Sequence, residues 1–395
     1  MEIRAQAEGN GTVSSVALSK PRMSWILATY RVRAPRESLE GVAHALALEQ
    51  SVELPDAAVT DAFVREHVMG RVEAIAAGAD DVHTVTVRLA VATTGLDVAQ
   101  TLNMLFGNSA LHAHVELADV AFPPDFLAAF PGPRFGLHGI RARLGVLPRP
   151  LACAALKPQG LPSARLAALC QTLAANGIDV VKDDHGLADQ AYAPFAERVR
   201  ACQAAVVRAS RETGRACIYA PSLVGGPRTL AAQARIVRDE GVGAVLVAPA
   251  LVGMPAFHEL VTRDLDVPVI AHPALGGAAR IAPPLLIGTL FRWLGADAAI
   301  FPSFGGRFAY DEATCAAIAN RARGPLGDWK PTLPVPAGGL TVERVADAVR
   351  FYGRDTMLLI GGSLLAAPDV AARTRAFADA VARCAADAPA ALANA

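Results

Sequence analysis

Gly177-Ile178-Asp179-Val180-Val181-Lys182-Asp183-Asp184-His185 is the stretch on which the fold turns. Ile178 to Val181 is a short, mostly apolar run behind a glycine, the right length for a buried strand and too short for a helix. A block of charge follows at once. A strand without a polar face belongs in a sheet covered on both sides, and in parallel sheets the cover is helical. Outward from this segment the same unit returns. Apolar runs at Ala152–Leu156, Ile178–Val181, Ala216–Ala220, Ala244–Ala248, Val267–Ala271, Ala298–Phe301, Leu333–Val335 and Met357–Ile360 stand about 25 to 35 residues apart, each followed by a segment of helical length. Eight such units predict an α/β fold with a C-terminal (β/α)8 TIM barrel. A doubly wound open sheet is the alternative.

The first third has a different rhythm. Trp25–Val32 and Val82–Val91 read as strands. Arg36–Leu48 has helical spacing, with Leu39, Val42, Ala43 and Leu46 on one side, and Val98–Phe106 is helical again. This predicts a smaller α+β domain of the ferredoxin-like kind. The expected organisation is a flexible leader over residues 1–20, the α+β domain over 21–135, the barrel over 136–385 and a frayed, alanine-rich tail over 386–395.

Composition narrows the function. Apolar residues make up 53% of the 395, enough for a large core. Lys plus Arg and Asp plus Glu number 37 each, so no basic footprint points to nucleic acid or an anionic membrane. Cys153, Cys170, Cys202, Cys217, Cys315 and Cys384 form no CxxC pair and read as reduced thiols of a cytoplasmic protein. Met1 to Pro21 lacks the apolar core of a signal peptide. The longest apolar run, Gly241 to Phe257, is too short to span a bilayer and contains Pro249 and Pro255.

In a barrel of this kind the reactive groups sit at the carboxyl ends of the strands. Those positions hold Lys157-Pro158-Gln159, Lys182 to His185, Pro221-Ser222, Pro249, His272-Pro273, Pro302-Ser303, Gly338-Gly339 and Gly361-Gly362-Ser363. Lys-Asp-Asp-His also suits a loop that caps the next helix; its place at a strand's end favours a site. Lysine is a poor metal ligand while it is cationic. Capped by CO2 as a carbamate it becomes an anionic oxygen donor, and Lys182, Asp184 and His185 could then hold Mg2+, with Mn2+ or another divalent ion as the alternative. The paired glycines after the last two strands, with Ser363, predict a phosphate cradle. Lys157 is the candidate general base. His272 could stabilise charge or shuttle a proton, and Ser303 could hydrogen-bond a substrate oxygen. Ser303-Phe304-Gly305-Gly306-Arg307-Phe308 reads as a mobile lid carrying one cation, which meets either substrate or a surface carboxylate.

Taken in order, these segments resemble the large subunit of ribulose-1,5-bisphosphate carboxylase/oxygenase (RuBisCO), and more closely the RuBisCO-like proteins that do not fix carbon. The resemblance runs from about Trp25 to Pro368. It implies Lys182 as the carbamylated metal ligand, Asp184 as the second ligand and Lys157 as the enolising acid/base. Glu49-Gln50-Ser51 is similar to the segment that reaches into a neighbouring subunit's site, with Asn103 or Asn108 as its companion. A homodimer, or a larger assembly of dimers with shared sites and no small subunit, is implied. The chain also departs from the family pattern. His185 stands where a glutamate is usual, Gln159 replaces a lysine, Pro273 replaces a phosphate-binding arginine, and Arg307 is the lid's only cation. Loss of that arginine beside intact glycine cradles implies a substrate with one phosphate, and no carboxylation of ribulose bisphosphate.

The expected function is therefore metal-dependent enolisation of a monophosphorylated keto-sugar or keto-sugar acid, ending in isomerisation, tautomerisation or decarboxylation. His185 and the lid lean the reading toward a sugar-acid phosphate decarboxylase or hydrolase. The alternatives are a 5-methylthioribulose-1-phosphate isomerase or diketo-methylthiopentyl-1-phosphate enolase of methionine salvage, a metal-free Schiff-base aldolase using Lys157 or Lys182, and a barrel that binds sugar phosphate without turnover.

Overall fold

The computed structural model describes residues 24–146 and 149–384. The leader and tail expected from the sequence lie outside the described residues.

The N-terminal part is a four-stranded antiparallel sheet of β1 (Trp25–Arg33), β2 (Arg71–Ala76), β3 (Val82–Ala90) and β4 (Val115–Ala121), in the order β2-β3-β1-β4. The helix Leu39–Glu49 joins β1 to β2, and Val98–Phe106 precedes β4. This is the ferredoxin-like arrangement. β1 is central because it alternates cleanly. Ile26, Ala28, Tyr30 and Val32 are buried against the helices, and the residues between them are not.

The remainder is the barrel. Its strands are β5 (Leu151–Leu156), β6 (Val180–Asp183), β7 (Ile218–Ala220) continued after Pro221 as β8 (Ser222–Leu223), β9 (Val245–Val247), β10 (Val269–Ala271), β11 (Ala298–Pro302), β12 (Leu333–Ala337) and β13 (Met357–Ile360). Parallel ladders run β13-β5-β6-β7 and β8-β9-β10-β11-β12. β7 and β8 count as one barrel strand interrupted by proline. Between β12 and β13 the strands meet without a ladder. The sequence of β12 explains this. Leu333 donates its N–H back toward β11, at Asp297 O, so the alternate residues Pro334 and Pro336 face β13 and have no N–H to give. The Thr356 hydroxyl bonds Pro334 O instead, at 3.1 Å.

Alternation separates two cores. Leu151, Cys153, Ala155, Val180, Ile218, Ala220, Leu246, Ile270, Ile300, Val335 and Leu359 fill the barrel, and the helix Gly136–Leu144 closes its lower end with Leu137, Ile140 and Leu144. Ala152, Ala154, Leu156, Val181 and Tyr219 face the helix layer. Asp297 anchors the plug by accepting from the amides of Phe135, Gly136 and Val269 at 2.7, 2.6 and 2.9 Å. β4 ties the two parts together through Leu117, whose N–H bonds Arg280 O and whose carbonyl accepts from Ala282 N, each at 2.9 Å.

The second barrel strand differs from its sequence reading in one useful way. It starts at Val180 and includes Lys182 and Asp183, which pair with Ala155 and Leu156 of β5. Charge at these positions suggests a loop, yet both residues are buried strand. No helix is long and apolar enough to cross a membrane among the described residues.

Candidate active site

Strand alternation sets the site. Val180 and Lys182 point into the barrel, Val181 and Asp183 toward the helices. Lys182 is 3% exposed, and its Nζ donates to Asp183 O at 2.8 Å. Burial, reinforced by the charge of Lys157, moves its pKa below the ordinary lysine value. A desolvated amine of that kind spends more time neutral, which is the form that reacts with CO2.

Asp184 is buried beside it, and the Lys157 ammonium makes an ion pair with its carboxylate. Burial alone would raise the Asp184 pKa. The hydrogen bonds from Lys157 and Gly186 N, with the charges of Lys157 and Lys182, outweigh it and hold the group at about 2. Asp184 is thus a permanent anion at the mouth. Lys157 also borders the last strand's loop, since a Cβ on Gly361 would lie 3.9 Å from its Cε.

His185 is 45% exposed, with Nδ1 3.4 Å from Asp184 Oδ1. Its ring stacks on His272, centroids 4.2 Å apart and planes 12° apart. Burial first, then the charge of Lys182, holds His272 at about 2, and burial also lowers His185. Two neutral imidazoles can stack where two cations could not. Ala274 N donates to His272 Nδ1 at 3.1 Å, so the neutral ring carries its proton on Nε2.

The residues fit a hard cation on one condition. Among the described residues no third His, Cys, Asp or Glu joins Asp184 and His185 in a metal-binding group. The missing anionic donor has to come from Lys182, as a carbamate. The fit then holds, with one nitrogen donor among the oxygens.

The glycine loops after β12 and β13 lie side by side. Gly338 and Gly339 adopt φ of 86° and 142°, which a side chain resists. The Ser363 hydroxyl bonds Leu340 O at 2.7 Å and so ties the β13 loop to the β12 loop. The segment Ser303–Phe308, read from the sequence as a lid, docks on the same place. Arg307 N donates to Gly338 O at 2.9 Å, and a Cβ on Gly306 would be 2.4 Å from that oxygen. The Arg307 guanidinium lies over Phe308 and makes no ion pair among the described residues, and its charge helps lower His185. The surface-carboxylate reading of Arg307 therefore gains no support. Ser303 turns its hydroxyl to Tyr352, 3.0 Å away.

Glu49 is the last residue of its helix. Asn108 donates from Nδ2 to Glu49 Oε1 at 2.9 Å within the same chain. Asn103 instead donates to Gln100 at 3.4 Å and stays on the helix surface. Sequence reading missed Asp183, Arg198 and Tyr219, which form a buried cluster behind β6, and Arg344, which holds the lid. It gave Gln159 no contact; its amide lies where a Cβ of Gly186 would be, 1.7 Å from that position.

Known proteins of one family resemble this chain along most of its length. Residues 136–280 match the family profile of the ribulose bisphosphate carboxylase large chain, catalytic domain. The chain is 51% identical to ribulose bisphosphate carboxylase-like protein 1 of Rhodopseudomonas palustris, over 87% of this chain and 93% of that one. It is 48% identical to a protein named 5-methylthioribulose-1-phosphate isomerase from Rhodospirillum rubrum, over 90% and 96%. The crystal structure of a Rubisco-like protein from Rhodopseudomonas palustris superposes with a TM-score of 0.84 at 46% identity, covering 91% of this chain and 97% of that one. The chain belongs to the RuBisCO-like proteins, relatives of the RuBisCO large subunit.

Proposed function

We propose that the chain isomerises 5-methylthioribulose-1-phosphate, a ketopentose with a single phosphate. The observation that carries this is the cluster of Lys157, Asp184 and Lys182 around one barrel mouth, in a chain 48% identical to a protein of that name. The sugar-acid decarboxylase or hydrolase reading gives way to it, because the relative is named for an isomerisation, which releases no CO2.

Lys182 as carbamate, Asp184 and His185 would hold the divalent cation, which supplies electrophilic stabilisation of charge on the substrate's oxygens. Lys157, in its neutral form, takes the proton from the carbon next to the carbonyl and returns it to a neighbouring carbon, so that no atom is lost. To act it has to leave its ion pair with Asp184. His272 Nε2–H donates to the oxygen on which charge develops, and as a neutral donor it does not quench the base. Gly338, Gly339, Gly361, Gly362 and Ser363 bind the phosphate, and the lid with Arg307 excludes water. Glu49 and Asn108 serve the site of a second copy. Mixed Glu49→Gln and Lys182→Met chains then regain activity that each lacks alone, once subunits exchange.

The test is incubation with 5-methylthioribulose-1-phosphate, Mg2+ and bicarbonate in D2O, followed by NMR of the products. An isomeric methylthio-ketose phosphate is expected, and Lys157→Met abolishes it. Absence of isomer, with CO2 released from a phosphorylated sugar acid under the same conditions, overturns the reading.

A further inference from the structure

We propose that the buried Asp183–Arg198 pair positions the two cation-binding side chains that flank it, Lys182 and Asp184. The proposal rests on the cation reading of this site given above. Asp183 and Arg198 are each 0% exposed, in the layer between strands and helices that Val181 and Tyr219 otherwise make apolar. A buried ion pair is weak as a source of stability, because apolar residues of similar volume often do as well there. Its use has to be sought in what it orients.

Each polar atom of the pair has a task. Asp183 Oδ2 accepts from Arg198 Nε at 3.0 Å and from Ser222 N at 3.1 Å, and Oδ1 accepts from the Tyr219 hydroxyl at 2.8 Å. The Ser222 amide is available because Pro221 interrupts the third strand at that point. Arg198 Nη1 donates to Ala193 O at 2.6 Å, and Nη2 to Ala188 O at 2.7 Å. One guanidinium therefore fixes the strand end at 183 and the loop at 188 and 193, and the segment so clamped carries Asp184 and His185. The carbonyl of the same Asp183 accepts from Lys182 Nζ at 2.8 Å, so fixing Asp183 also fixes the acceptor that Lys182 uses. Lysine at 198 would keep the charge and lose the three-way fork.

The experiment compares the wild type with Arg198→Lys and Tyr219→Phe in the full chain. Carbamate formation is read by 13C NMR with 13C-bicarbonate, the signal being assigned by its loss in Lys182→Met. Cation affinity is read by EPR titration with Mn2+, and folding by thermal melting. Arg198→Lys is expected to bind Mn2+ at least tenfold more weakly and to lose the carbamate signal, and Tyr219→Phe to bind about threefold more weakly. If Arg198→Lys does not fold, Tyr219→Phe decides alone. Folded variants with wild-type affinity and signal overturn this inference and leave the cation reading standing. A wild type with neither carbamate nor Mn2+ binding overturns both.

Discussion

Two loops at the barrel mouth are held in opposite ways. The loop from Asp184 to Pro194, after β6, is braced from behind by Arg198, and within itself by Gln190, which spans Gly186 O and Ala188 N at 2.7 and 2.9 Å. Asp184, Leu187 and Ala193 in it are buried. The lid after β11 has no buried residue from Pro302 to Tyr310. At its base the Ser303 hydroxyl meets Tyr352 and the Phe304 ring packs on Phe351, centroids 4.5 Å apart; beyond that it is held by Arg344 donating to the carbonyls of Gly305 and Phe304 at 2.8 and 3.0 Å and by the amide bond of Arg307 to Gly338. Under the proposed function the first loop carries cation ligands, which must keep their places between turnovers, and the second is a cover, which has to leave. Burial and charge pairing serve the first need; a few exposed main-chain bonds serve the second.

Mutations can break or sharpen this contrast. Lys182→Met should lower turnover by about a thousandfold or more, in the range of lost catalytic charge stabilisation. It should leave the melting temperature unchanged or higher, because a desolvated amine is removed. A parallel fall in both would mean that Lys182 is chiefly a structural residue. Asp183→Ala strands a buried guanidinium and should cost about 3–5 kcal/mol in urea unfolding. Arg344→Ala, on the lid side, should cost under about 1 kcal/mol while kcat/KM falls about tenfold. If Arg344→Ala destabilises the chain as much as Asp183→Ala does, the two loops are not held differently.

Acid should leave the braced loop intact over a wide range. The Asp184 pKa, about 2, lies below its ordinary 3.8. Its contribution to stability is therefore complete above 3.8 and is lost as pH falls from there through about 2. An NMR titration of the Asp184 carboxyl should show no protonation between pH 7 and about pH 4; a midpoint near 4 would show that the pair with Lys157 does not form. The smallest effect is expected for Gly186→Ala. The new Cβ meets only the Gln159 amide, the far end of a flexible side chain, so the cost should stay under about 1 kcal/mol by thermal melting.

The barrel strands could be read from sequence because strands buried on both faces are continuous apolar runs. β2 and β4 of the N-terminal sheet were not. Arg71–Ala76 is an edge strand with hardly any buried residue, and without a buried face it leaves no alternation to detect. Lys157, Lys182, Asp184, His185 and His272 stood out because ionisable residues at the ends of apolar runs are conspicuous. Arg198 did not, since an arginine within the 19-residue helix Phe195–Thr213 looks like any solvent-facing charge.

By itself the chain's pattern of apolar runs and terminal charges determined the barrel, its mouth and the kinds of side chain gathered there, because hydrophobic periodicity is a local property. Only the tertiary structure decided that Lys182 and Asp183 belong to a strand, that His185 lies flat on His272, and that Asn108 accompanies Glu49 while Asn103 does not. These depend on which distant groups fill the space around a side chain. A charge can be buried in a strand only where a partner such as Arg198 is folded against it.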